Sequence, residues 1–364
     1  MFYGSHKESR FFPHFSFERP FRMRSRRVGP MRPLRVSTTD YHTGGEPFRI
    51  VSGGIKPLPG VTILDKRRYA SEHLDDIRKL VIFEPRGHAD MYGCFVTDPV
   101  DDDGDLGVVF FHNAGYSTAC GHGTIALVTW AIETGLVAIT GPQTSVVVDV
   151  PSGRLETVAR VEEGKVRSVR FTNVPSFVHS ESVVLPTSVG GVITDISFGG
   201  AFYASVHAPD VGLAVQLSDL TALIALGREI KSAIEKELEV VHPVEPELRD
   251  VYGVIFYESY GAPGDFSQRN VTIFADGEVD RSPCGSGTSA RLALLDKSGV
   301  LPRGQTLVHR GIVDSVFRAR VTGGAQVADI PAVITEVEGS AHICGFHHFV
   351  LDPTDPLGTG FLLR

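Results

Sequence analysis

The sequence predicts an α/β protein with two similar lobes, and three observations support this fold class. The chain has 364 residues, of which 42% are hydrophobic and 21% charged, enough for two domains of ordinary size. From Leu34 onward, apolar segments typical of strands alternate with amphipathic segments typical of helices. One order of elements also occurs twice: strand, helix, strand, cysteine–glycine turn, helix, strands. This repeat indicates an internal duplication, with two α/β lobes facing each other.

The N-terminal segment differs in composition from the rest of the chain. Residues 1–33 are rich in Arg, Phe and Pro and contain only two acids, Glu8 and Glu18. Such a composition fits an organelle-targeting segment, but the apolar stretch that a secretory or twin-arginine signal needs after Arg26 and Arg27 is missing. We therefore interpret residues 1–33 as a basic, disordered extension or as sequence upstream of the functional start.

The N-terminal lobe is predicted over residues 34–187, and the C-terminal segment 346–364 could complete it. LRVSTTDYHTGGEPFRIVSGG predicts strand, Gly-rich turn and strand. In RRYASEHLDDIRKLVIFEPRG, apolar residues recur at helical spacing from Leu74, so we expect a helix there and then a strand over residues 81–83. Two strands follow, in DMYGCFVTDPV and LGVVFFHNAGY. TIALVTWAIETGLV predicts a helix that ends at Gly135, and a β-meander comes after it.

The C-terminal lobe is predicted over residues 188–345. GVITDISFGGAFYASVHA predicts strand, turn and strand, and DLTALIALGREIKSAIEKELEVV is the longest amphipathic helix. VYGVIFYESYG and RNVTIFADGEVD predict strands. The second cysteine–glycine turn, the helix TSARLALLDKSG and further strands complete this lobe.

Charge and composition exclude several classes of function. A net charge of −8 argues against broad binding to nucleic acid or to anionic membranes. No apolar run is long enough to cross a bilayer. Four cysteines in a chain of this length do not form a disulfide scaffold. We therefore predict a cytoplasmic protein with reduced thiols.

Two cysteine–glycine turns are the main chemical candidates. Cys120 lies in GYSTACGHGTIAL and Cys284 in DRSPCGSGTSARLALL, each directly before a helix. Unpaired N–H groups and the helix dipole at such a position are expected to lower the pKa of a thiol and to bind a carboxylate. Alternatively, each motif is a tight turn with a small buried cysteine. The matching places of the two turns favour the functional interpretation.

Two thiols that face one carbon atom have a specific chemical use. The carbon next to a carboxylate is a very weak acid, and inversion there needs a base on one face and an acid on the other. One thiol takes the proton and the other returns one, while N–H groups stabilise the charge that develops on the carboxylate. This chemistry requires no metal and no organic cofactor.

Other motifs give weaker signals. GSGTSA lacks the lysine of a phosphate-binding loop. Residues 98–107 resemble a calcium loop but lack its closing Glu, so a solvated hairpin tip is the better interpretation. We predict no metal site, because paired-ligand spacing is missing around the three histidines nearest to the first turn, His88, His112 and His122.

Three further residues are candidates for site or core positions. Asp280 precedes Cys284 by four positions, so its carboxylate could reach a substrate amine or could simply be the acid of a turn or helix cap. Cys94 and Cys344 are expected to be core or wall residues.

The segments HTGGEPFRIV, GYSTACGHGTIAL and DRSPCGSGTSARLALL resemble the three signature segments of the proline racemase superfamily. This superfamily includes proline racemases, 4-hydroxyproline 2-epimerases and trans-3-hydroxy-L-proline dehydratases. The resemblance extends from about Leu34 to Arg364. It implies a diaminopimelate-epimerase-like fold with the active site in the cleft between two lobes, no cofactor, and a homodimer as a plausible assembly.

The resemblance also implies roles for individual residues. Cys120 and Cys284 would be the two acid/base groups, and Asp280 would contact the ring nitrogen of the substrate. Many members have Thr at the place of Ser286, but a backbone contact should survive that difference. The N–H groups expected to hold the substrate carboxylate are those of Gly121, His122, Gly285 and Ser286.

The subfamily is harder to assign, because two features conflict. Racemases and epimerases have cysteine at both motif positions, as here, whereas dehydratases usually have threonine at the second. Segments such as FEPRGHADMYG and SFGGAFYA nevertheless look more like the dehydratase branch. Because a thiol at position 284 can reprotonate a carbanion from the opposite face, we favour a two-base racemase or epimerase acting on proline or a hydroxyproline.

Two alternatives remain open at this point. One is trans-3-hydroxy-L-proline dehydratase, with Cys120 as the base for the α-proton. The other is an imino-acid-binding protein without catalysis, against which the two thiols at the motif positions argue. Pyrrole-2-carboxylate, a planar mimic of the deprotonated α-carbon, is the expected inhibitor.

Overall fold

Residues 34–260 and 266–363, which the computed structural model describes, form seventeen strands and five α-helices. The predicted extension over residues 1–33 lies outside the described residues. The strands are β1 (Leu34–Thr43), β2 (Glu46–Gly53), β3 (Tyr92–Thr97), β4 (Leu106–His112), β5 (Gln143–Val150), β6 (Gly153–Glu162), β7 (Lys165–Thr172), β8 (Ser176–Thr187), β9 (Gly190–Phe198), β10 (Phe202–His207), β11 (Val251–Tyr260), β12 (Ser267–Phe274), β13 (Glu278–Asp280), β14 (Leu307–Arg310), β15 (Val316–Val327), β16 (Ile330–Gly339) and β17 (Ala341–Leu351). The helices are α1 (Ile63–His73), α2 (Asp75–Ile82), α3 (Gly121–Glu133), α4 (Leu220–Glu237) and α5 (Gly285–Lys297).

Strand pairing repeats within the chain. β1 and β2 pair antiparallel, β2 and β3 parallel, β3 and β4 antiparallel, β4 and β5 parallel, and β5 to β7 form a meander. The same order recurs from β9 and β10, through parallel β10–β11, antiparallel β11–β12 and parallel β12–β14, to the meander β14–β16. Each parallel step needs a crossover. α1 and α2 connect β2 to β3, and α4 connects β10 to β11, while α3 and α5 lie at equivalent places between β4 and β5 and between β12 and β14. The repeat expected from the sequence is therefore present in the strand pairing.

The two equivalent helices, α3 and α5, lie inside the fold. α3 is buried from Gly121 to Ile132, and α5 from Gly285 to Leu295. α3 contacts β1 and β7, and α5 contacts β8, β9 and β16. A helix that is covered on all sides begins in the interior, so the N-terminal N–H groups of both helices are shielded from bulk solvent.

The strand predicted over residues 81–83 is wrong. Val81 and Ile82 belong to α2, and a break at Leu74 separates this helix from α1. Leu80, Val81 and Ile82 are all fully buried. Three consecutive apolar residues are typical of a buried strand, and periodicity cannot distinguish such a strand from a short buried helix.

The C-terminal segment lies against the N-terminal half of the chain. β17 pairs antiparallel with β1, and Phe361 forms a backbone bridge with Glu84. The lobe boundaries themselves stay a prediction. Cys94 is buried in β3, as expected, whereas Cys344 is exposed on β17, so the expectation of a core or wall position for Cys344 is wrong. No helix among the described residues is long and apolar enough to cross a membrane.

Candidate active site

The two cysteine–glycine turns meet inside the molecule. Cys120 is the N-cap residue of α3, and Cys284 is that of α5. A Cβ atom built on Gly121 would lie 2.5 Å from the Cα atom of Gly285, so the first residues of the two helices touch. Such an approach requires glycine on both sides. The two predicted turns, which contain Cys120 and Cys284, therefore lie together in one buried region.

Cys120 has an ordinary backbone and a well-defined set of partners. Its φ is −156°, and its Sγ accepts a hydrogen bond from the N–H of Gly123 at 3.3 Å. Both ring nitrogens of His122 lie near the same sulfur, at 3.5 and 3.6 Å. Burial raises the pKa of the Cys120 thiol well above its ordinary value, and negative charge on Asp280 and Cys284 raises it further.

Cys284 is in a different conformation. Its φ of 60° lies in the left-handed region, which non-glycine residues rarely adopt. Its N–H donates to the hydroxyl of Ser282 at 3.1 Å, and its thiol donates to the hydroxyl of Tyr203, with 3.8 Å between the two heavy atoms. Burial raises the pKa of this thiol too, and the charge of Asp280 adds to the effect.

The expectation of lowered thiol pKa values is therefore wrong for both cysteines. Each sulfur does lie at a helix N-terminus, where N–H groups favour the thiolate. Cys120 and Cys284 are each only 5% exposed, however, and removal from water penalises the charged form more than a few N–H groups favour it. The local sequence pattern predicts where each helix begins but not how deeply that start is buried.

Two buried carboxyl groups adjoin the cysteines. Asp280, at the end of β13, accepts hydrogen bonds on Oδ1 from the N–H and the hydroxyl of Ser282, at 2.8 and 2.7 Å. Asp280 therefore forms a local turn, the alternative role that its spacing predicts, and it also interacts electrostatically with both thiols. Burial raises the pKa of Asp280 to about 6. Glu46, the first residue of β2, has its pKa raised by burial and then by the charge of Asp280.

A row of hydroxyl and ring groups lines the region around the helix starts. The hydroxyls of Tyr203 and Ser286 are hydrogen-bonded at 2.7 Å. His122 packs edge-on against Tyr92, with ring centroids 4.9 Å apart, and burial lowers the pKa of its imidazole to about 3. The ring is therefore neutral at physiological pH. The Tyr92 hydroxyl bonds to that of Tyr252 at 2.9 Å.

A second network holds the backbone just before Cys284. The carbonyl oxygen of Pro283 accepts hydrogen bonds from Asn270 Nδ2 and from the Thr288 hydroxyl, both at 3.1 Å. His309, which is fully buried, lies 2.8 Å from each of these two side chains. Since the amide nitrogen Nδ2 of Asn270 can only donate, His309 Nε2 is the acceptor and its Nδ1–H donates to Thr288. This chain of bonds fixes both the imidazole tautomer and the turn.

An open cleft of about 420 Å³ lies beside the site. Ser117, Thr118, Ala201 and Tyr252 are among its lining residues, and Ser117 and Tyr252 both hydrogen-bond to Tyr92. The cleft thus reaches the hydroxyl row that borders the cysteines. Among the described residues, no group of three or more His, Cys, Asp or Glu side chains is arranged to hold a metal ion.

Comparison with known proteins gives the family of this chain. A family model described as proline racemase matches residues 38–362. The chain belongs to the proline racemase family. It is 49% identical over 330 residues to trans-3-hydroxy-L-proline dehydratase from Burkholderia ambifaria, covering 90% of this chain and 98% of that protein. It is 48% identical, with the same coverage, to 3-hydroxyproline 2-epimerase from Burkholderia multivorans.

A solved structure of the same family confirms the predicted fold class. The crystal structure of a hydroxyproline epimerase from Agrobacterium vitis, with bound trans-4-hydroxy-L-proline, matches with a TM-score of 0.85 and 31% identity. The match covers 91% of this chain and 96% of that one. The chain is thus a mixed α/β member of an enzyme family that contains both isomerases and lyases.

Within this proline racemase family member, every residue predicted for the site lies in one buried region. The exposures of Cys120, His122, Asp280, Cys284 and Ser286 are all between 3% and 5%. The roles of these residues and of Gly121 and Gly285 stay predictions. Glu46, which adjoins these residues, is not predicted by the sequence reasoning, although it lies in the signature segment HTGGEPFRIV. The available signal was an acidic residue directly after two glycines, at the start of a predicted apolar strand.

Proposed function

We propose that this protein is a cofactor-independent epimerase or racemase that inverts the α-carbon of a hydroxyproline or of proline. The observation that carries the proposal is the contact of Gly121 with Gly285, which brings Cys120 and Cys284 to one region from two different helices. Inversion needs two proton-transfer groups on opposite faces of one carbon atom, and a pair of thiols meets this need. We further propose that the enzyme works in the cytoplasm.

The proposed reaction begins with the substrate carboxylate at the two helix starts. The N–H groups of Gly121, His122, Gly285 and Ser286 would hold it there. One cysteine, as the thiolate, takes the proton from the α-carbon, and the electron pair moves into an enediolate that these N–H groups stabilise. The thiol on the other face then donates its proton to the α-carbon. Each turnover leaves the two cysteines with exchanged protonation states.

The raised pKa values of the thiols make the charge of the substrate important. In the buried site both Cys120 and Cys284 favour the protonated form. The ring nitrogen of an imino acid carries a positive charge, and a nearby opposite charge favours a thiolate. We infer that substrate binding, rather than the helix N-terminus alone, makes the thiolate accessible. Asp280 is the expected partner of this nitrogen.

The relatives guide the choice of ring hydroxyl. Proteins 49% and 48% identical to this chain are named for 3-hydroxyproline, one as a dehydratase and one as a 2-epimerase. Trans-3-hydroxy-L-proline is therefore the first substrate to test. Inversion of its α-carbon gives cis-3-hydroxy-D-proline.

A second candidate function is dehydration of trans-3-hydroxy-L-proline. It is favoured by the name of the 49% identical relative. Cys120 would remove the α-proton, and the 3-hydroxyl group would leave as water after protonation, with Cys284 as the acid. The product is an enamine with a double bond between the α-carbon and C3, which tautomerises to a cyclic ketimine. Both reactions start with the same step and differ in where the second proton goes.

One experiment separates the two functions. The enzyme is incubated in D₂O with trans-3-hydroxy-L-proline, and the products are followed by NMR and chiral chromatography. An epimerase gives cis-3-hydroxy-D-proline with deuterium at the α-carbon, whereas a dehydratase gives a ketimine that can be trapped by reduction. L-proline, trans-4-hydroxy-L-proline and cis-4-hydroxy-D-proline are run in parallel. If none of the four imino acids loses its α-hydrogen, both functions are refuted.

A further inference from the structure

Glu46 is a buried carboxylate with one oxygen that lacks a partner. Its side chain is fully buried at the start of β2. Oε2 accepts hydrogen bonds from the backbone N–H of Arg281 at 2.8 Å and from its guanidinium at 3.2 Å. Oε1 has no hydrogen-bond partner among residues 34–260 and 266–363. Burying an oxygen without a hydrogen-bond partner is unfavourable. The position of Glu46 Oε1 beside the candidate active site therefore indicates that a bound ligand supplies the missing donor.

The location of Glu46 identifies which part of a ligand it would meet. The carboxyl interacts electrostatically with Asp280 and with the Cys120 thiol. The glycine turn before Glu46 packs on the same segment, since a Cβ on Gly44 would lie 3.3 Å from that of Ser282. Two buried carboxyl groups therefore adjoin one proton-transfer group. Arg281 also lies 3.8 Å from Asp90, and burial raises the pKa of both Glu46 and Asp280. A cation that arrives between these two carboxyl groups would therefore favour their ionised forms.

We propose that Glu46 and Asp280 bind the protonated ring nitrogen of the substrate together, with Glu46 Oε1 accepting one of its two N–H bonds. This inference rests on the proposed function and extends it to the basis of substrate selection. A pyrrolidinium nitrogen has two N–H donors and a positive charge, which suits two carboxylates. A pyrrole nitrogen is neutral and has one N–H. The site would thus select a saturated cationic ring through Glu46 and would bind the carboxylate of either ring through the helix starts.

A purely structural role for Glu46 makes a different prediction. In that role the Glu46 side chain only holds Arg281 in place, and through Arg281 it stabilises the turn that contains Asp280. Its loss would then weaken every ligand of the site to a similar extent. Glu46→Gln distinguishes the two roles, because glutamine keeps an acceptor for Arg281 but places an NH₂ donor at the position of Oε1.

The test measures binding to the full-length chain by calorimetry. All variants carry Cys120→Ser, which prevents turnover. The ligands are trans-3-hydroxy-L-proline and pyrrole-2-carboxylate. We expect Glu46→Gln to weaken the first by at least about tenfold, the effect of losing one charge-assisted hydrogen bond, and the second by less than about threefold. Glu278→Gln is the matched control, since Glu278 is also buried and accepts from the N–H groups of Ala114 and Asp276.

Each outcome decides the inference. Equal weakening of both ligands by Glu46→Gln, or no weakening, overturns it and leaves the proposed function intact. The same selective loss in Glu278→Gln also overturns it, because the effect would then not be specific to Glu46. If neither ligand binds the Cys120→Ser parent, the proposed function fails as well. Should Glu46→Gln not fold, as judged by circular dichroism, Glu46→Asp withdraws the carboxylate and is expected to give selective weakening in the same direction.

Discussion

The contact between the two helix starts makes Gly285→Ala the sharpest test of the site. A Cβ at position 285 would lie 2.6 Å from Gly121 Cα, 3.1 Å from Gly121 C and 3.1 Å from the Phe171 ring. All three distances are shorter than ordinary van der Waals contact, and the nearest opposing atoms belong to the backbone of Gly121. The two helices must therefore move apart.

The size of the effect follows from the packing. An extra methyl group in a well-packed interior costs about 1–3 kcal/mol, partly offset by the better helix propensity of alanine, up to about 1 kcal/mol. We expect a melting temperature lower by a few degrees, at about 2–4 °C per kcal/mol for a chain of moderate size. The separation of Cys120 from Cys284 matters more, because a displacement of about 1 Å at a reacting centre can reduce kcat about 100-fold.

The assay compares kcat for α-hydrogen exchange with the thermal melting curve of the same sample. Gly323→Ala is the control, since a Cβ there meets no atom within 4 Å, and it should behave like the unmodified protein. If Gly285→Ala retained the kcat and the melting temperature of the control, the close approach of the two helices would matter neither for catalysis nor for stability. That result would refute the role proposed for the contact between Gly121 and Gly285.

Three further predictions concern individual side chains. Cys120→Ser and Cys284→Ser should each abolish inversion, as measured by chiral chromatography; full inversion by either variant would contradict a two-thiol mechanism. Asn270→Ala removes a donor from Pro283 O and should lower kcat with little change in KM, at a cost in unfolding free energy of about 1–3 kcal/mol. Burial raises the pKa of Asp280 to about 6, so the folded state prefers the protonated acid and loses stability as the pH rises from about 4 to 6. Asp280→Asn should therefore raise the melting temperature at pH 7 and change it little below pH 4; an equal shift at both pH values would exclude this titration as the cause.

The sequence was sufficient for the fold class and for the pairing of the two turns, because both depend on local patterns. Alternating apolar periods specify strands and helices, and a cysteine followed by glycine before an apolar run marks a helix start. The sequence was insufficient for properties that depend on how deeply a residue is buried or on contacts with residues distant in the chain. The thiol pKa values follow from burial by the whole core. The end of α2 resembles a strand in sequence because its last residues form a continuous apolar run.

Long-range partners account for the remaining misses. Glu46 is separated from Arg281 by 235 positions, and His309 from Asn270 by 39. Neither pair has a local spacing that would reveal it, since the contacts arise from the way the strands assemble. The exposed position of Cys344 has a similar origin: whether one face of β17 is covered depends on the rest of the sheet.

The left-handed conformation of Cys284 limits which side chains position 284 can accept without a change in the backbone. Glycine adopts such a φ freely, whereas a β-branched residue meets severe steric hindrance there. Threonine, the residue expected at this position in dehydratases, is β-branched. A single Cys284→Thr replacement would thus strain a turn whose φ is 60°. In this backbone the replacement of cysteine by threonine at position 284 would therefore require a new turn geometry as well as a new side chain.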